Sequence, residues 1–149
     1  MLTIALFTML LFGILFAISV VDINEMRIPD VLNGLLLTGG LAFWLLSSRG
    51  ELPVQIGCAT ALAFAFWLIR FTHSRMTGRI GLGLGDVKMA GAGAVWINPL
   101  LLPLFVFAAS ACALFYALLI AKHDTAERLP FAPFLSIGLI SCWMTEYFL

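Results

Sequence analysis

Long apolar runs separated by short polar breaks outline the chain. Leu2–Val21 carries no charge and closes at Asp22. That is one membrane crossing, for which about 20 mostly apolar residues suffice. A nine-residue polar loop, Asp22 to Asp30, follows and holds Glu25 and Arg27. Pro29 suits the first turn of the next helix, and Asp30 favours its positive end. Val31–Leu46 reads as the second crossing, ending at Ser47-Ser48-Arg49-Gly50-Glu51, and Pro53–Phe71 as the third. Arg70 to Gly85 reads as a basic loop with Arg70, Arg75 and Arg79. Between Val87 and Ala121 the only charge is Lys88. That stretch is too long for one helix, so Asn98-Pro99 is the expected reversal of a helical hairpin. Lys122–Arg128 reads as a charged loop and Leu129–Leu149 as the sixth crossing. The pattern predicts an all-α polytopic membrane protein with six transmembrane helices, forming a single domain over residues 1–149.

Composition agrees with this outline. Apolar residues make up 62% of the chain and charged residues 11%, against roughly 25% charged in a soluble domain. Mean hydropathy is +1.09, so the lipid bilayer is the expected surrounding. Net charge is zero, which argues against a nucleic-acid partner. Residues 1–21 hold no Lys or Arg, so the basic start of a secretory signal is missing and the first run reads as a retained span. Seven of the eight Lys and Arg residues fall in alternate loops, with Arg49 alone on the other side. By the positive-inside rule both termini are non-cytoplasmic, and Asp22 and Asp86 face the cytoplasm. Cys58, Cys112 and Cys142 stand isolated in apolar runs, and His73 and His123 sit in polar loops; none has metal-ligand spacing. Trp44, Trp67, Trp96 and Trp143 lie near span ends, where packing or interfacial anchoring accounts for them.

Candidate chemistry centres on Gly83-Leu84-Gly85-Asp86-Val87-Lys88. From Asp86 to the reversal is about 12 residues, or roughly 18 Å of helix, while the hydrocarbon core is about 30 Å thick. Asp86 is therefore expected below the membrane surface, where an acid is costly and marks function. Gly83 and Gly85 permit close approach and unusual backbone angles. Two carboxylates brought together in low dielectric share one proton, so one can activate water while the other polarises a carbonyl. Taken singly, Asp22 reads equally as a solvated surface acid, while for Asp86 a helix N-cap is the lesser alternative, given its depth. Spacing alone does not join them. Lys88 lies about 200° around a helix from Asp86, which disfavours a direct ion pair; snorkelling and substrate contact are level readings. Arg27 and Asp30 read as loop and cap residues, and Asn33 as cross-helix packing or a hydrogen bond near the pair.

Three segments together carry a family resemblance. Asp22 followed by Arg27-Ile28-Pro29-Asp30-x-Leu32-Asn33, then Gly83 to Lys88, then Leu129-Pro130-Phe131-Ala132-Pro133-Phe134-Leu135 resemble the type IV prepilin peptidases. Gly is more usual in that family where Ala132 stands. The resemblance implies a membrane aspartic endopeptidase of the Gly-x-Gly-Asp type in the bacterial cytoplasmic membrane. Such enzymes remove the basic leader from prepilin or pseudopilin precursors at the cytoplasmic face, usually after a glycine. It makes Asp22 and Asp86 the catalytic pair and Gly83 and Gly85 the active-site loop. Arg27, Asp30, Asn33 and Lys88 become possible supporting or substrate-binding residues. No metal and no cofactor is implied for proteolysis. Larger members carry a cysteine-paired insert associated with zinc and methylation, so the short first loop here implies no N-methyltransferase activity. The compact form resembles the versions serving Flp-type (tight-adherence) pili. The rival classes are a small proton-coupled transporter, since intramembrane acids also mark ion pathways, and a non-catalytic subunit of a pilus or secretion assembly.

Overall fold

The computed structural model describes residues 2–47, 52–78, 81–119 and 130–148, and among them the chain forms six α-helices and no strand. These are α1 (Leu2–Glu25), α2 (Asp30–Leu46), α3 (Leu52–Thr77), α4 (Leu84–Ala94), α5 (Leu102–Leu119) and α6 (Ala132–Phe148). A single 3-10 turn, Pro99–Leu101, joins α4 to α5. Asn98 caps that turn by accepting the Leu100 N–H at 3.0 Å, so the hairpin reverses where Asn98-Pro99 predicts. The expected loops around Arg49 and over Lys122–Arg128, with His123 and Arg79, lie outside the described residues.

Two helix ends differ from the sequence expectation. α1 does not close at Asp22 but continues to Glu25, and the connection to α2 shrinks to residues 26–29. The Met26 N–H still bonds the Asp22 carbonyl at 2.9 Å; Met26 then turns to φ 54°, which ends the helix. Leu11, Leu15, Ile18 and Asp22 consequently share one buried face at helical spacing. Pro29 stands just before α2 with extended backbone, in the N-cap position. α3 likewise runs past Phe71 to Thr77, so Arg70, His73 and Arg75 are helical rather than loop residues. No Gly or Pro interrupts that segment, and a basic residue in the last turn suits a helix C-terminus. Gly78, at φ 67°, stops it.

Three stretches, Leu2–Glu25, Leu52–Thr77 and Pro99–Leu119, are long and apolar enough to cross a membrane. Large apolar side chains such as Met9, Phe16 and Phe107 point outward and are over 70% exposed, an outer surface that suits lipid. α1 packs on α2 and α6, α4 on α2 and α3, and α5 on α6, while α2 and α3 barely touch. The core is aromatic at the end away from Asp22: Phe7, Phe43, Trp96, Trp143 and Tyr147 interlock there. Trp44, Trp96 and Trp143 are buried, so packing rather than interfacial anchoring explains them. Of the four tryptophans only Trp67 is exposed, stacked between Phe64 and Phe71.

The short α4 is held at its C-terminal end by side chains from three other helices. At about 1.5 Å per residue its 11 residues reach about 16 Å, roughly half the hydrocarbon thickness. Backbone beyond its end must be covered by protein. Gln55 Nε2 donates to the carbonyls of Ala94 (2.8 Å), Val95 (3.0 Å) and Ile97, and the Trp44 indole donates to Val95 at 2.7 Å. Glu146 accepts the Asn98 N–H at 2.8 Å.

Candidate functional site

Asp22 and Asp86 meet at the other end of the bundle. They line one cavity of about 280 Å³ with Met26, Arg27, Ile28, Gly83, Leu84 and Gly85. Their charges are close enough to interact, and the Arg70 guanidinium acts on Asp86 from α3. Asp22 arrives from the last turn of α1, carried inward by the Leu11–Leu15–Ile18 face. Asp86 arrives from the first turn of α4.

Each acid is served by a backbone donor at the start of a helix. The Ala132 N–H, first in α6, donates to Asp22 Oδ2 at 3.0 Å. The Gly83 N–H donates to Asp86 Oδ2 at 3.2 Å. Gly83, not Asp86, occupies the N-cap position of α4, and Asp86 is the third residue of the helix. Helix N-termini favour negative charge, so the local fold suits carboxylates at both places.

The glycine loop is held close to the α1–α2 connection. A Cβ on Gly85 would lie 3.0 Å from Ile28 Cβ, tighter than side chains ordinarily pack. Asn33 Nδ2 donates to the Gly85 carbonyl at 3.4 Å, a long bond from a buried side chain. Arg70 Nη1 donates to the Leu82 carbonyl from the α3 side.

The other sequence candidates fall into two groups. Arg27 lines the cavity and pairs with Glu25 at 3.5 Å in an exposed contact. Asp30 and Lys88 lie beside the cavity, not in it, and pair with each other across α2 and α4 at 2.5 Å. This partner resolves the geometry that disfavours Lys88–Asp86. Exposed pairs of this kind contribute about 1 kcal/mol or less. The sequence reading missed the Ala132 donor and the Arg70 strut. The recurring segment around Ala132 was the available signal for the first; a basic residue assigned to a loop hid the second. Among the described residues no group of His, Cys, Asp and Glu is arranged to hold a metal ion.

The fold and cavity define a helical membrane protein in which two acids from separate helices share one pocket beside a glycine loop. The chain belongs to the type IV leader peptidase family, whose sequence model matches residues 9–118. It is 36% identical over 138 residues to the type 4 prepilin-like proteins leader peptide-processing enzyme of Escherichia coli O78:H11 (strain H10407 / ETEC), covering 92% of this chain and 51% of that protein. It is 33% identical over 133 residues to the prepilin leader peptidase/N-methyltransferase of Pectobacterium carotovorum subsp. carotovorum, covering 87% and 48%. The corresponding protein of Aeromonas hydrophila is 31% identical over 133 residues, covering 87% and 46%. The chain thus spans about half the length of these relatives. No solved structure gives a significant match.

Proposed function

We propose that this chain is a single-domain membrane aspartic endopeptidase that removes the leader from prepilin-like precursors, with Asp22 and Asp86 as its catalytic pair. The observation that carries this reading is that two acids far apart in sequence line one small cavity, each with a backbone donor. A water in that cavity is activated by the ionised carboxylate and attacks the scissile carbonyl. The protonated partner donates to the carbonyl oxygen or the leaving amine. The pair titrates as a unit, so neither role is assigned to one residue.

In the proposed topology all six helices belong to the membrane domain and both termini are non-cytoplasmic. The described cations support it: Arg27, Arg70, Arg75 and Lys88 all gather at the aspartate end. The site then faces the cytoplasm of the inner membrane, where a basic leader is presented. We assign peptidase activity without N-methyltransferase activity, because residues 26–29 alone join α1 to α2 and the three cysteines stand apart. The Flp-type pilins are the proposed substrate group, by resemblance of the compact form.

The test is cleavage of a prepilin-like precursor in proteoliposomes by wild type, Asp22→Asn and Asp86→Asn. Both variants insert normally and lose cleavage on this reading. Full cleavage by either ends it. Proton or solute flux through the same vesicles, lost with the same substitutions while no precursor is cut, would instead establish the transporter.

A further inference from the structure

A second, larger hollow lies beside the aspartate cavity. It occupies about 650 Å³ where α2 and α3 part, with α4 as its floor. Its charged and amide groups are concentrated at one end. Asp30, Asn33 and Lys88 form that end, and Asp30 and Lys88 each stand two residues from cavity residues Ile28 and Asp86. Beyond them the walls are apolar or small: Gly34, Leu37 and Leu41 on α2, Ala59 and Ala63 on α3, Gly91 and Ala92 on α4. From Asp30 to Leu41 is 11 residues of helix, so the groove runs about 16 Å, or three turns.

We propose that this groove seats the apolar segment of the precursor, lying along α2 with its polar leader emerging at the aspartates. The inference rests on the peptidase reading and adds where the substrate's membrane-embedded part is held. Three observations favour a polypeptide over a lipid tail. The groove adjoins the aspartate cavity, because groove residue Asn33 bonds the carbonyl of cavity residue Gly85, so one extended chain can reach both. Small residues on all three walls allow helix backbones to approach closely, as they do at helix contacts in membranes. Asn33, buried at the junction, has an Oδ1 without a hydrogen-bond partner and only a long bond from Nδ2. An amide so placed gains from a shift that lets it accept a backbone N–H of an unwound substrate, which an acyl chain does not supply.

Gly34 offers a clean probe. A Cβ built there meets nothing within 4 Å, so Gly34→Leu starts its side chain in open space and directs it into the groove. Gly13, on α1 and away from the groove, has equally open space, and Gly13→Leu serves as control. Thr60→Leu obstructs the groove from the α3 wall. Each protein is given two substrates in vesicles: a full precursor, and a short peptide spanning the cleavage site without the apolar segment. Gly34→Leu and Thr60→Leu are expected to lower kcat/KM for the precursor about tenfold, the equivalent of 1.4 kcal/mol of lost seating. Both should cut the short peptide at the wild-type rate, and Gly13→Leu should match wild type on both. Unchanged precursor cleavage in the two groove variants overturns the proposal, as does an equal loss on both substrates. A lipid that copurifies with wild type but not Gly34→Leu, with precursor cleavage unaffected, also overturns it and makes the groove a lipid site. Wild type cutting neither substrate is a different result, which removes the peptidase reading itself.

Discussion

Gln55 is the residue whose loss should do most for its size. It is 1% exposed on an apolar helix, and its two N–H groups are shared among three carbonyls at the end of α4. In Gln55→Leu, Val95 keeps the Trp44 indole, while Ala94 and Ile97 lose the amide. Interhelical hydrogen bonds in membranes average about 0.6 kcal/mol each in double-mutant cycles, which for three gives a floor of about 2 kcal/mol. Leaving a buried carbonyl unsatisfied costs about 1–3 kcal/mol, so two give a ceiling of about 6 kcal/mol. The extra apolar contact of leucine works against this loss but supplies no donor. An expected destabilisation of about 2–4 kcal/mol follows, within the interval those two costs set. Reversible unfolding in mixed micelles, titrated with a denaturing detergent, reads it directly. Gln55→Glu is the informative partner, because it keeps the shape but offers at most one donor to the same carbonyls. Wild-type stability in both variants would refute the idea that α4 is fixed by a side-chain cap. Wild-type stability in Gln55→Glu alone would show that shape, not donation, holds the helix end.

Two further substitutions probe close contacts. Ala132→Pro should lower precursor cleavage about ten- to a hundredfold. It removes the N–H that donates to Asp22, a bond to a charged group worth about 1.5–3 kcal/mol, while Pro is tolerated in a first helical turn. Ala132→Gly, which keeps the donor, should retain activity, and full activity in the proline variant would show that the bond is idle. Gly138→Ala should destabilise the fold by about 1–3 kcal/mol through overpacking, because its Cβ would lie 2.8 Å from the Phe105 carbonyl and 3.2 Å from the Ala109 nitrogen on α5. The same detergent titration measures it, and an unshifted midpoint would mean that α5 and α6 do not lie so close.

The helices were legible because uninterrupted apolar runs leave little choice of structure, and Asn98-Pro99 marked the reversal between α4 and α5. Their ends were less legible. Asp22, Asn24 and Glu25 look like loop residues by polarity, yet they continue a helix whose register buries Asp22 behind Leu11, Leu15 and Ile18. Polarity records what water would prefer; register records which way a side chain points. The tryptophans show the same gap from the other side, since a position near a span end fits both interface and core, and for Trp96 neighbours from α1, α2 and α6 decide for the core. The meeting of Asp22 and Asp86 was not legible from spacing at all, because it depends on where α4 stands against α1. The family resemblance supplied that expectation, and the shared cavity gives it a geometry. Gln55 was overlooked although the signal was present: an uncharged amide amid an apolar crossing has to find partners.

The placement of the pair at helix starts has an energetic logic. A charged carboxylate at the centre of a membrane helix costs about 2.5–3.5 kcal/mol on insertion scales. The favourable field at a helix N-terminus returns about 0.3–1 kcal/mol, rising to about 2 in partly buried geometry. One helix start, α6 for Asp22 and α4 for Asp86, therefore offsets part of the cost of one charge but not that of two neighbouring charges, and at Asp22 it is opposed by the negative end of α1 itself. The remainder is removed if a single proton is shared, leaving one charge facing two helix starts. On this reading the convergence of the α1 end with the α4 and α6 starts does two things at once. It lowers the cost of keeping a pair of acids in an apolar bundle, and it suits the one-proton state that the proposed peptidase chemistry requires.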